Sequence, residues 1–264
     1  LTNSLDSKQG LKDTEIARLI LWAESSSGFG NDPKKNTETL KEITTEAKRL
    51  DASFLIGGDR PSSPGEFENY GIFIDERGEI SGEYLKQHPV PFGEYIPFRK
   101  YLDWIPPLSL VPRDMVRGTQ QQVFTTNKDE IKISPVISFE GSFDRYIRRS
   151  VVQGAEVVVI LTNQASYGES GMSDQFILMS RANAISNNRD IAHAAITGKS
   201  AFISGIDGDI YSSTGLFTDA VLTDEIKTSN KLTLYTRWGN YLNYLIIFFG
   251  IINLFWPKSM LKKI

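Results

Sequence analysis

Strand-like apolar runs alternate with helix-like segments along most of this chain. The strand candidates share a high content of Val, Ile, Leu and Phe and cover residues 17–22, 53–56, 70–74, 131–139, 157–162, 191–197 and 201–206. The helix candidates place apolar residues three and four positions apart, at 36–50, 143–152 and 172–187. Strands that alternate with helices predict a layered α/β domain, and the last two strands add an antiparallel hairpin. Gly57 and Gly58 predict the end of the second strand.

Composition limits the domain count and the classes of partner. The chain has 264 residues, of which 40% are hydrophobic, and this is enough for one large α/β core, although two small domains are also compatible with the length. The formal net charge is only -3, and no long basic run is interleaved with aromatic residues. A surface that binds polyanions is therefore not expected, and we predict no nucleic-acid partner.

Cysteine and histidine usage excludes several kinds of site. The chain has no cysteine, so disulfides, Cys-ligated zinc and a thiol nucleophile are ruled out, while either redox compartment remains compatible. Its two histidines, His88 and His193, each lack a second histidine at metal-ligand spacing. We read both as structural, buried or solvated, and predict neither a metal nor a cofactor.

An uncharged run near the C-terminus predicts a membrane helix. Residues Tyr241 to Trp256 read YLNYLIIFFGIINLFW, and the lysines at 258, 262 and 263 follow them. The run is near the short end of the roughly 17–25 residues that cross a bilayer, so a deeply buried core helix is the alternative. Trp238, Tyr241, Tyr244 and Trp256 would lie at the two interfaces. Because the lysines follow the run, they are expected in the cytoplasm and the preceding domain outside it.

This pattern gives a two-part organisation. We predict a catalytic domain at residues 1–235 and a membrane helix with a basic cytoplasmic tail at 236–264. The first ten residues, LTNSLDSKQG, contain no export signal, so a domain outside the cytoplasm leads us to expect further sequence upstream.

The stretch from Tyr95 to Val116 departs from the alternation, because it is apolar but has no clean period. Trp104, Leu108 and Leu110 are among its large side chains. A long apolar loop of this kind is typical of a lid or a membrane contact, and a loop folded onto its own domain is the equal alternative.

Three residues whose side chains could take part in catalysis each lie at the end of a predicted strand. Glu24 occurs in LILWAES, Lys86 in YLKQHPVPFGEY and Ser138 in ISFEGSF. Singly, such residues are usually solvated charges or turn residues. Together, the three segments resemble, in order and surroundings, the three catalytic motifs of the carbon-nitrogen hydrolase (nitrilase) superfamily. The element VPFGEYIP after the lysine resembles apolipoprotein N-acyltransferases in particular, and the likeness runs from about Ala17 to the C-terminus.

The resemblance implies a fold and a set of roles. The fold would be a nitrilase-like four-layer αββα sandwich with a C-terminal transmembrane helix. Glu24 would be the general base, Lys86 would stabilise the oxyanion, and Ser138 would occupy the nucleophile position. The supporting residues would be Glu94, Phe139 and Glu140, and the substrate loop would include Trp104, Leu108 and Leu110.

The implied reaction takes place between two lipids. Such enzymes take an acyl chain from a membrane phospholipid as a covalent acyl-enzyme. They then pass it to the α-amino group of a lipoprotein's N-terminal, diacylglyceryl-modified cysteine. The resemblance therefore implies a catalytic domain on the periplasmic face of the bacterial inner membrane, with a phospholipid donor, a lipoprotein acceptor and the membrane as partners.

The chain also departs from the family pattern, and this leaves alternatives open. Ser138 replaces a cysteine, Phe139 a tyrosine, and Gln164 an aspartate. An alcohol needs more help from its base than a thiol does, because far less of it is ionised at neutral pH. A catalytically impaired relative that binds lipid or lipoprotein is thus the first alternative to an active acyltransferase. A soluble amidohydrolase of the nitrilase type is the second, although it would need a cysteine and no C-terminal span.

Overall fold

Two β-sheets form the frame of the computed structural model, which describes residues 17–102 and 104–255. The first sheet consists of β1 (Leu19–Trp22), β2 (Ser53–Pro61), β3 (Glu66–Ile74), β4 (Ile80–Leu85) and β5 (Asp114–Met115), in the order β1-β2-β3-β4 with β5 paired to β3. The second sheet consists of β6 (Phe124–Thr125), β7 (Lys132–Ile137), β8 (Val157–Asn163), β9 (Ile191–Ile196), β10 (Ala201–Ile203) and β11 (Ile210–Ser213), in the order β11-β10-β9-β8-β7-β6.

Helices connect and cover these strands. They are α1 (Thr37–Leu50), α2 (Arg99–Leu102), α3 (Asp144–Val152), α4 (Met172–Asn187), α5 (Leu234–Trp238) and α6 (Tyr241–Phe255). Short 3-10 segments span Pro106–Leu110, Ser138–Ser142 and Ala165–Tyr167. The Asn36 side chain caps α1 by accepting hydrogen bonds from the backbone N–H groups of Glu38 and Thr39.

The core consists of three hydrophobic clusters: one between α1 and the first sheet, one between the two sheets, and one between the second sheet and helices α3 and α4. In β2, Phe54 and Ile56 pack with α1, whereas Leu55 points to the other sheet. In β8, Val158 and Ile160 pack with α3 and α4, whereas Val159 and Leu161 face the first sheet. Because successive strand residues point to opposite faces, each sheet is buried on both sides. The order is helix, sheet, sheet, helix, which confirms the α/β fold expected from the resemblance.

Parallel pairing brings several strand ends to one edge. β1 runs parallel to β2, and β7, β8 and β9 run parallel to one another, with α3 and α4 as the crossovers. The residues that follow parallel strands lie at the same edge of a sheet, and such edges are where α/β proteins place binding and catalytic groups. Glu24 follows β1 of the first sheet and Ser138 follows β7 of the second. The hydrogen bond from the backbone N–H of Asn163, at the end of β8, to Glu24 joins these ends of the two sheets.

The prediction that Gly57 and Gly58 end the second strand is wrong, since β2 continues to Pro61. A Cβ atom at Gly57 would lie 2.4 Å from the carbonyl oxygen of Ala23, and one at Gly58 would lie 2.1 Å from the Ser27 hydroxyl. The two glycines therefore serve close packing of the segment after β1 against β2, and not a turn.

The apolar stretch at 95–116 contains some regular structure. It includes α2 and the 3-10 segment Pro106–Leu110, and it returns to the first sheet through β5. A bidentate ion pair between Arg99 and Asp114, with a shortest distance of 2.6 Å, closes its base. Trp104 and Leu110 are 79% and 84% exposed, so their rings and methyl groups lie mostly outside the core.

At the C-terminal side, α6 holds 15 residues. Among the described residues, no helix combines the length and the apolar character that crossing a bilayer requires. Trp256 and the lysines that were predicted to follow the span lie outside the described residues. The predicted boundary between residues 235 and 236 falls inside α5, where the buried Thr236 hydroxyl donates to Asn187 at 3.1 Å.

Candidate active site

Glu24 lies two residues beyond β1 and is only 4% exposed. Its Oε1 accepts hydrogen bonds from Lys86 Nζ at 3.0 Å and from Asn69 Nδ2 at 2.9 Å. Its Oε2 accepts one from the backbone N–H of Asn163 at 2.8 Å. Asn69 belongs to β3 and Lys86 follows β4 of the first sheet, whereas Asn163 ends β8 of the second, so this carboxylate is held in one orientation by both sheets.

Lys86 follows β4 and is fully buried. Its ammonium lies between two carboxylates and donates hydrogen bonds to Glu24 and to Glu94. Burial acts to lower the pKa of Lys86, but the neighbouring charges of Glu24 and Glu94 outweigh burial and raise this pKa above its ordinary value. Glu94 is fixed in turn, because its Oε2 accepts from the backbone N–H of Val90 at 2.8 Å. The site therefore contains a buried ammonium that is charged at neutral pH.

Ser138 follows β7 at the same edge of the second sheet. The register pairs Ile137 with Leu161, so Ser138 lies beside the end of β8, whose Asn163 N–H binds Glu24. The backbone turns sharply at Ser138, which has a positive φ of 54° and begins the 3-10 segment Ser138–Ser142. The residue is 8% exposed, and within the described part of the chain its hydroxyl makes no hydrogen bond.

Glu140 locks this turn to the segment that follows Lys86. It is completely buried and accepts four hydrogen bonds: from the Tyr84 hydroxyl at 2.7 Å, from the backbone N–H groups of Ile137 at 2.8 Å and His88 at 2.9 Å, and from that of Gln87. Burial raises the pKa of Glu140, against the lowering effect of the bond from Ile137. The backbone around Ser138 and the backbone after Lys86 are thus held by one carboxylate.

Sequence reasoning missed two polar residues of the site. Asn69 binds Glu24, and its own Oδ1 is buried without a hydrogen-bond partner within the described structure. Asp59 lies opposite Asn69 in the β2–β3 register, and its Oδ1 is also unpartnered there. Burial raises the pKa of Asp59 to about 6, a hydrogen bond from Ser25 lowers it, and the Glu24 charge raises it further. The available signal was weak, because each residue is one of several polar side chains in its strand, SFLIGGDRP for Asp59 and EFENYGIFI for Asn69.

Aromatic rings form the wall beside Ser138. Phe139 packs edge-on against Phe176 at 6.3 Å between ring centroids, and Phe176 contacts Tyr167 at 5.8 Å. His88 stacks on the other side of Phe139 at 6.0 Å. Phe139 thus supports the site by packing and contributes no hydroxyl.

The predicted substrate loop starts at the site but its large side chains do not enter the hydrogen-bonded cluster. The Met115 N–H donates to the Glu94 carbonyl at 2.8 Å, which joins both ends of the loop at Glu94. Trp104 donates its indole N–H to the Tyr101 carbonyl at 3.0 Å, Leu108 is partly buried, and Leu110 is exposed. The structure therefore brings together Glu24, Lys86, Glu94, Ser138 and Glu140, and it places Trp104, Leu108 and Leu110 on an outlying loop.

This arrangement has the parts needed for acyl transfer through a covalent intermediate. A carboxylate can accept a proton, a neighbouring hydroxyl can attack a carbonyl carbon, and a fixed ammonium can stabilise the oxyanion that forms. Because the ammonium is buried, its field is screened less than it would be in water.

Several apolipoprotein N-acyltransferases are similar to this chain. The protein of that name from Haemophilus ducreyi is 33% identical over 93% of this chain and 50% of its own length. The one from Mycolicibacterium smegmatis is 31% identical over 88% of this chain and 39% of its own length. The chain spans about half, or less, of the length of these curated relatives.

Solved structures with the same fold include amidases. An amidase from Nesterenkonia sp. superposes with a TM-score of 0.56 at 18% identity, over 76% of this chain and 74% of that one. A cysteine-to-serine mutant of the Nesterenkonia AN1 amidase, from the nitrilase superfamily, gives a TM-score of 0.57 at 18% identity over 76% and 75% of the two chains. At this identity the likeness establishes the fold alone. Residues 10–231, most of the sequence, match the family model described as carbon-nitrogen hydrolase. This chain belongs to the carbon-nitrogen hydrolase family.

Proposed function

We propose that this chain is the catalytic domain of an apolipoprotein N-acyltransferase. It would move an acyl chain from a membrane phospholipid to the N-terminal α-amino group of a lipoprotein's diacylglyceryl-modified cysteine. The observation that carries the proposal is the buried cluster of Glu24, Lys86 and Glu94 at the strand edge where Ser138 also lies. The names of the curated relatives support the choice of this reaction over other acyl transfers.

In the first half-reaction, Glu24 takes the proton of the Ser138 hydroxyl while the oxygen attacks the ester carbonyl of the phospholipid. The Lys86 ammonium stabilises the resulting tetrahedral oxyanion. When the intermediate collapses, the bond to the glycerol oxygen breaks and Glu24 returns its proton to that oxygen. The products are a lysophospholipid and an acyl ester on Ser138.

In the second half-reaction, the uncharged α-amine of the acceptor attacks the acyl carbonyl. Lys86 again stabilises the oxyanion, and Glu24 accepts a proton from the attacking nitrogen. Collapse breaks the bond to Ser138 Oγ, which recovers the proton from Glu24. An amide leaves and the hydroxyl is regenerated, so Glu24, Lys86 and Ser138 each return to their starting state.

A second candidate is an impaired relative that binds lipid without turnover. Two observations favour it. Position 138 carries an alcohol, and both oxygens of Glu24 already accept hydrogen bonds, from Lys86, Asn69 and Asn163. Since the Ser138 hydroxyl has no hydrogen bond to this carboxylate in the described structure, the proton transfer requires substrate-induced tightening.

We further propose that the domain works at the extracytoplasmic face of the inner membrane, held by the uncharged run at 241–256. Support comes from α6, whose apolar side chains are largely exposed; they include Tyr244, Ile246, Phe248, Phe249 and Leu254. Such surface is unfavourable in water, because each exposed apolar side chain forgoes about 1.5–3 kcal/mol of burial. Release of the protein by carbonate without detergent would contradict the membrane assignment and favour the amidohydrolase alternative.

The acyl-enzyme can be looked for directly. We expect mass spectrometry, after incubation of the protein with phospholipid, to find the peptide that contains Ser138 heavier by one acyl group. Glu24→Gln should abolish this adduct, because an amide cannot accept the proton. A folded protein that never acquires the adduct would contradict turnover through Ser138 and favour the binding-only candidate.

A cysteine series separates the nucleophile from its surroundings. Ser138→Cys should form the acyl adduct faster and raise acyl transfer, because a thiolate is the stronger nucleophile. Ser142→Cys is the matched control, since it puts a thiol into the same 3-10 segment away from the nucleophile position. If Ser138→Cys is folded and inactive, the other differences from the family pattern, such as Phe139 and Gln164, disable the site.

A further inference from the structure

Three arginines lie near His88 or its chain neighbour Gln87, and we call them the arginine cluster: Arg117, Arg145 and Arg149. The Arg145 guanidinium lies 3.4 Å from His88 Nδ1. Arg149 donates to Gln87 Oε1 at 3.1 Å, directly beside His88 in the chain. Burial lowers the pKa of His88, and the positive charges of Arg145 and Arg117 lower it further. The cluster is therefore a concentration of positive charge around a neutral imidazole.

The positive charge of the cluster is not balanced locally. Within the described part of the chain, none of the three arginines forms an ion pair with a carboxylate. The nearest acid in sequence, Asp144, is engaged elsewhere, since it accepts hydrogen bonds from Asn187 at 2.8 Å and from the Tyr235 hydroxyl. Glu140 is buried and turned inward. The cluster can therefore accept an outside anion.

Aromatic rings hold the guanidinium groups in place. Arg145 lies 4.4 Å above the Phe143 ring and 4.9 Å from the Tyr146 ring, and Arg117 lies 5.3 Å above Tyr95. A guanidinium that stacks on a ring uses its flat face, so the N–H groups at its edge remain available to oxyanions. All three arginines are exposed, so these edges are open to solvent.

The cluster lies beside the reacting groups. His88 is two residues after Lys86 and stacks on Phe139, the neighbour of Ser138. The Gly118 N–H, next to Arg117, donates to the Lys86 carbonyl at 2.8 Å. A molecule that reacts at Ser138 and also carries an anionic group would meet the cluster with that group.

We propose that Arg117, Arg145 and Arg149 form an anion subsite that binds the phosphate of the acyl donor while its ester carbonyl lies at Ser138. This rests on the proposed function for the identity of the donor, since the chemistry recognised is a phosphate oxyanion. Phosphate suits the cluster, because paired guanidinium N–H groups match its oxygens in bidentate geometry. A phosphodiester keeps its negative charge at neutral pH, whatever the rest of the headgroup.

His88 provides a direct readout. The chain has two histidines, so their ring resonances are separable by NMR, and buried His193 reports on the integrity of the core. A bound anion should raise the pKa of His88 by about one to three, as expected for a unit charge about 4 Å away in surroundings between bulk water and a protein surface. The full chain would be titrated in a sugar-based detergent with inorganic phosphate, with dihexanoyl phosphatidylglycerol and, at equal ionic strength, with acetate.

The matched variants are Arg117→Gln/Arg145→Gln and the control Arg77→Gln. Without ligand, the double variant should raise the pKa of His88, because two lowering charges are gone, and it should lose the response to phosphate. Arg77 lies in the turn before β4 with its side chain 70% exposed, so the control should respond as the unmodified chain does. An unchanged His193 signal shows that each variant is folded.

The possible results distinguish a headgroup subsite from a site for free phosphate and from no specific anion site. A rise with phosphatidylglycerol at lower concentration than with inorganic phosphate, lost in the double variant, supports a headgroup subsite. A stronger response to inorganic phosphate supports the anion site but overturns its assignment to the lipid donor. An equal response to acetate, or a response that survives in the double variant, overturns the proposal. Because the readout is binding, an absent acyl adduct on Ser138 would contradict the proposed function without touching this result.

Discussion

Replacing Lys86 by methionine tests the buried charge cluster most sharply. The Lys86 ammonium is completely buried, donates to Glu24 at 3.0 Å and also binds Glu94, so the variant leaves two carboxylates without their cation. Methionine is flexible, unbranched and similar in volume, so a cavity contributes little to the effect. The expected loss therefore arises almost entirely from uncompensated charge.

The structure sets the size of this loss. At 3.0 Å, a pair of unit charges attracts by about 5–6 kcal/mol at an effective dielectric constant of about 20. Desolvation offsets part of that attraction, and removing one partner of a buried pair typically costs about 3–5 kcal/mol. We expect Lys86→Met to lower the free energy of unfolding by about 3–5 kcal/mol at pH 7.

In the unmodified chain, the contribution of Lys86 should persist through neutral pH. Its pKa is raised in the folded state, so this stabilisation is fully present below the ordinary lysine pKa and is lost only as the pH rises through the folded value. At pH 7 the loss in Lys86→Met therefore includes the whole contribution of the lysine charge.

Urea denaturation followed by tryptophan fluorescence, between pH 4 and 8, provides the assay. Lys34→Met is the matched control, because Lys34 pairs with Glu83 at the similar distance of 2.9 Å but is 41% exposed. An exposed pair contributes about 0–1 kcal/mol, so the control should lose little stability at any pH. Equal losses of stability in Lys86→Met and Lys34→Met would refute the reasoning.

Three further predictions concern buried groups, each checked by urea denaturation. Gly57→Ala should cost about 1–3 kcal/mol, because its Cβ would lie 2.4 Å from the Ala23 carbonyl, whereas Gly171→Ala, with open space around it, should stay within about 0.5 kcal/mol. Burial lowers the pKa of His193 to about 4, so stability falls as the pH drops from about 6.5 to 4, and His193→Gln should remove about 3 kcal/mol of that fall. Asp59 has a pKa raised to about 6, so its burial costs stability as the pH rises from about 4 to 6; Asp59→Asn should stabilise the protein by about 1–3 kcal/mol at pH 7 and by nothing below pH 4.

Sequence reasoning located the motif residues because the end of each strand can be predicted from the residues around it. An apolar run that stops before a glutamate, a lysine or a serine is local information, and Glu24, Lys86 and Ser138 all follow strands in the structure. Their partners are not local. The bond from the Asn163 backbone to Glu24 joins residues 139 positions apart and depends on how the two sheets face each other.

The missed elements had weak local signals for physical reasons. β4 reads ISGEYL, and its mixed burial gives no clean alternation. β5 and β6 contain two residues each, so they exist only through pairing with β3 and β7. Gly57 and Gly58 misled the prediction because close packing and turns both favour glycine, and sequence alone does not separate the two.

The backbone at Ser138 bears on how a cysteine variant would be interpreted. Its φ of 54° costs an L-residue about 1–3 kcal/mol, so the surrounding structure must impose it. Glu140 does so by accepting from the Ile137 N–H on one side and from the N–H groups of Gln87 and His88 on the other. None of these contacts involves the side chain at 138, so exchanging its hydroxyl for a thiol leaves the turn in place. Failure of a folded Ser138→Cys variant would then locate the defect in other groups, such as the hydroxyl that Phe139 lacks, and not in the position of the nucleophile.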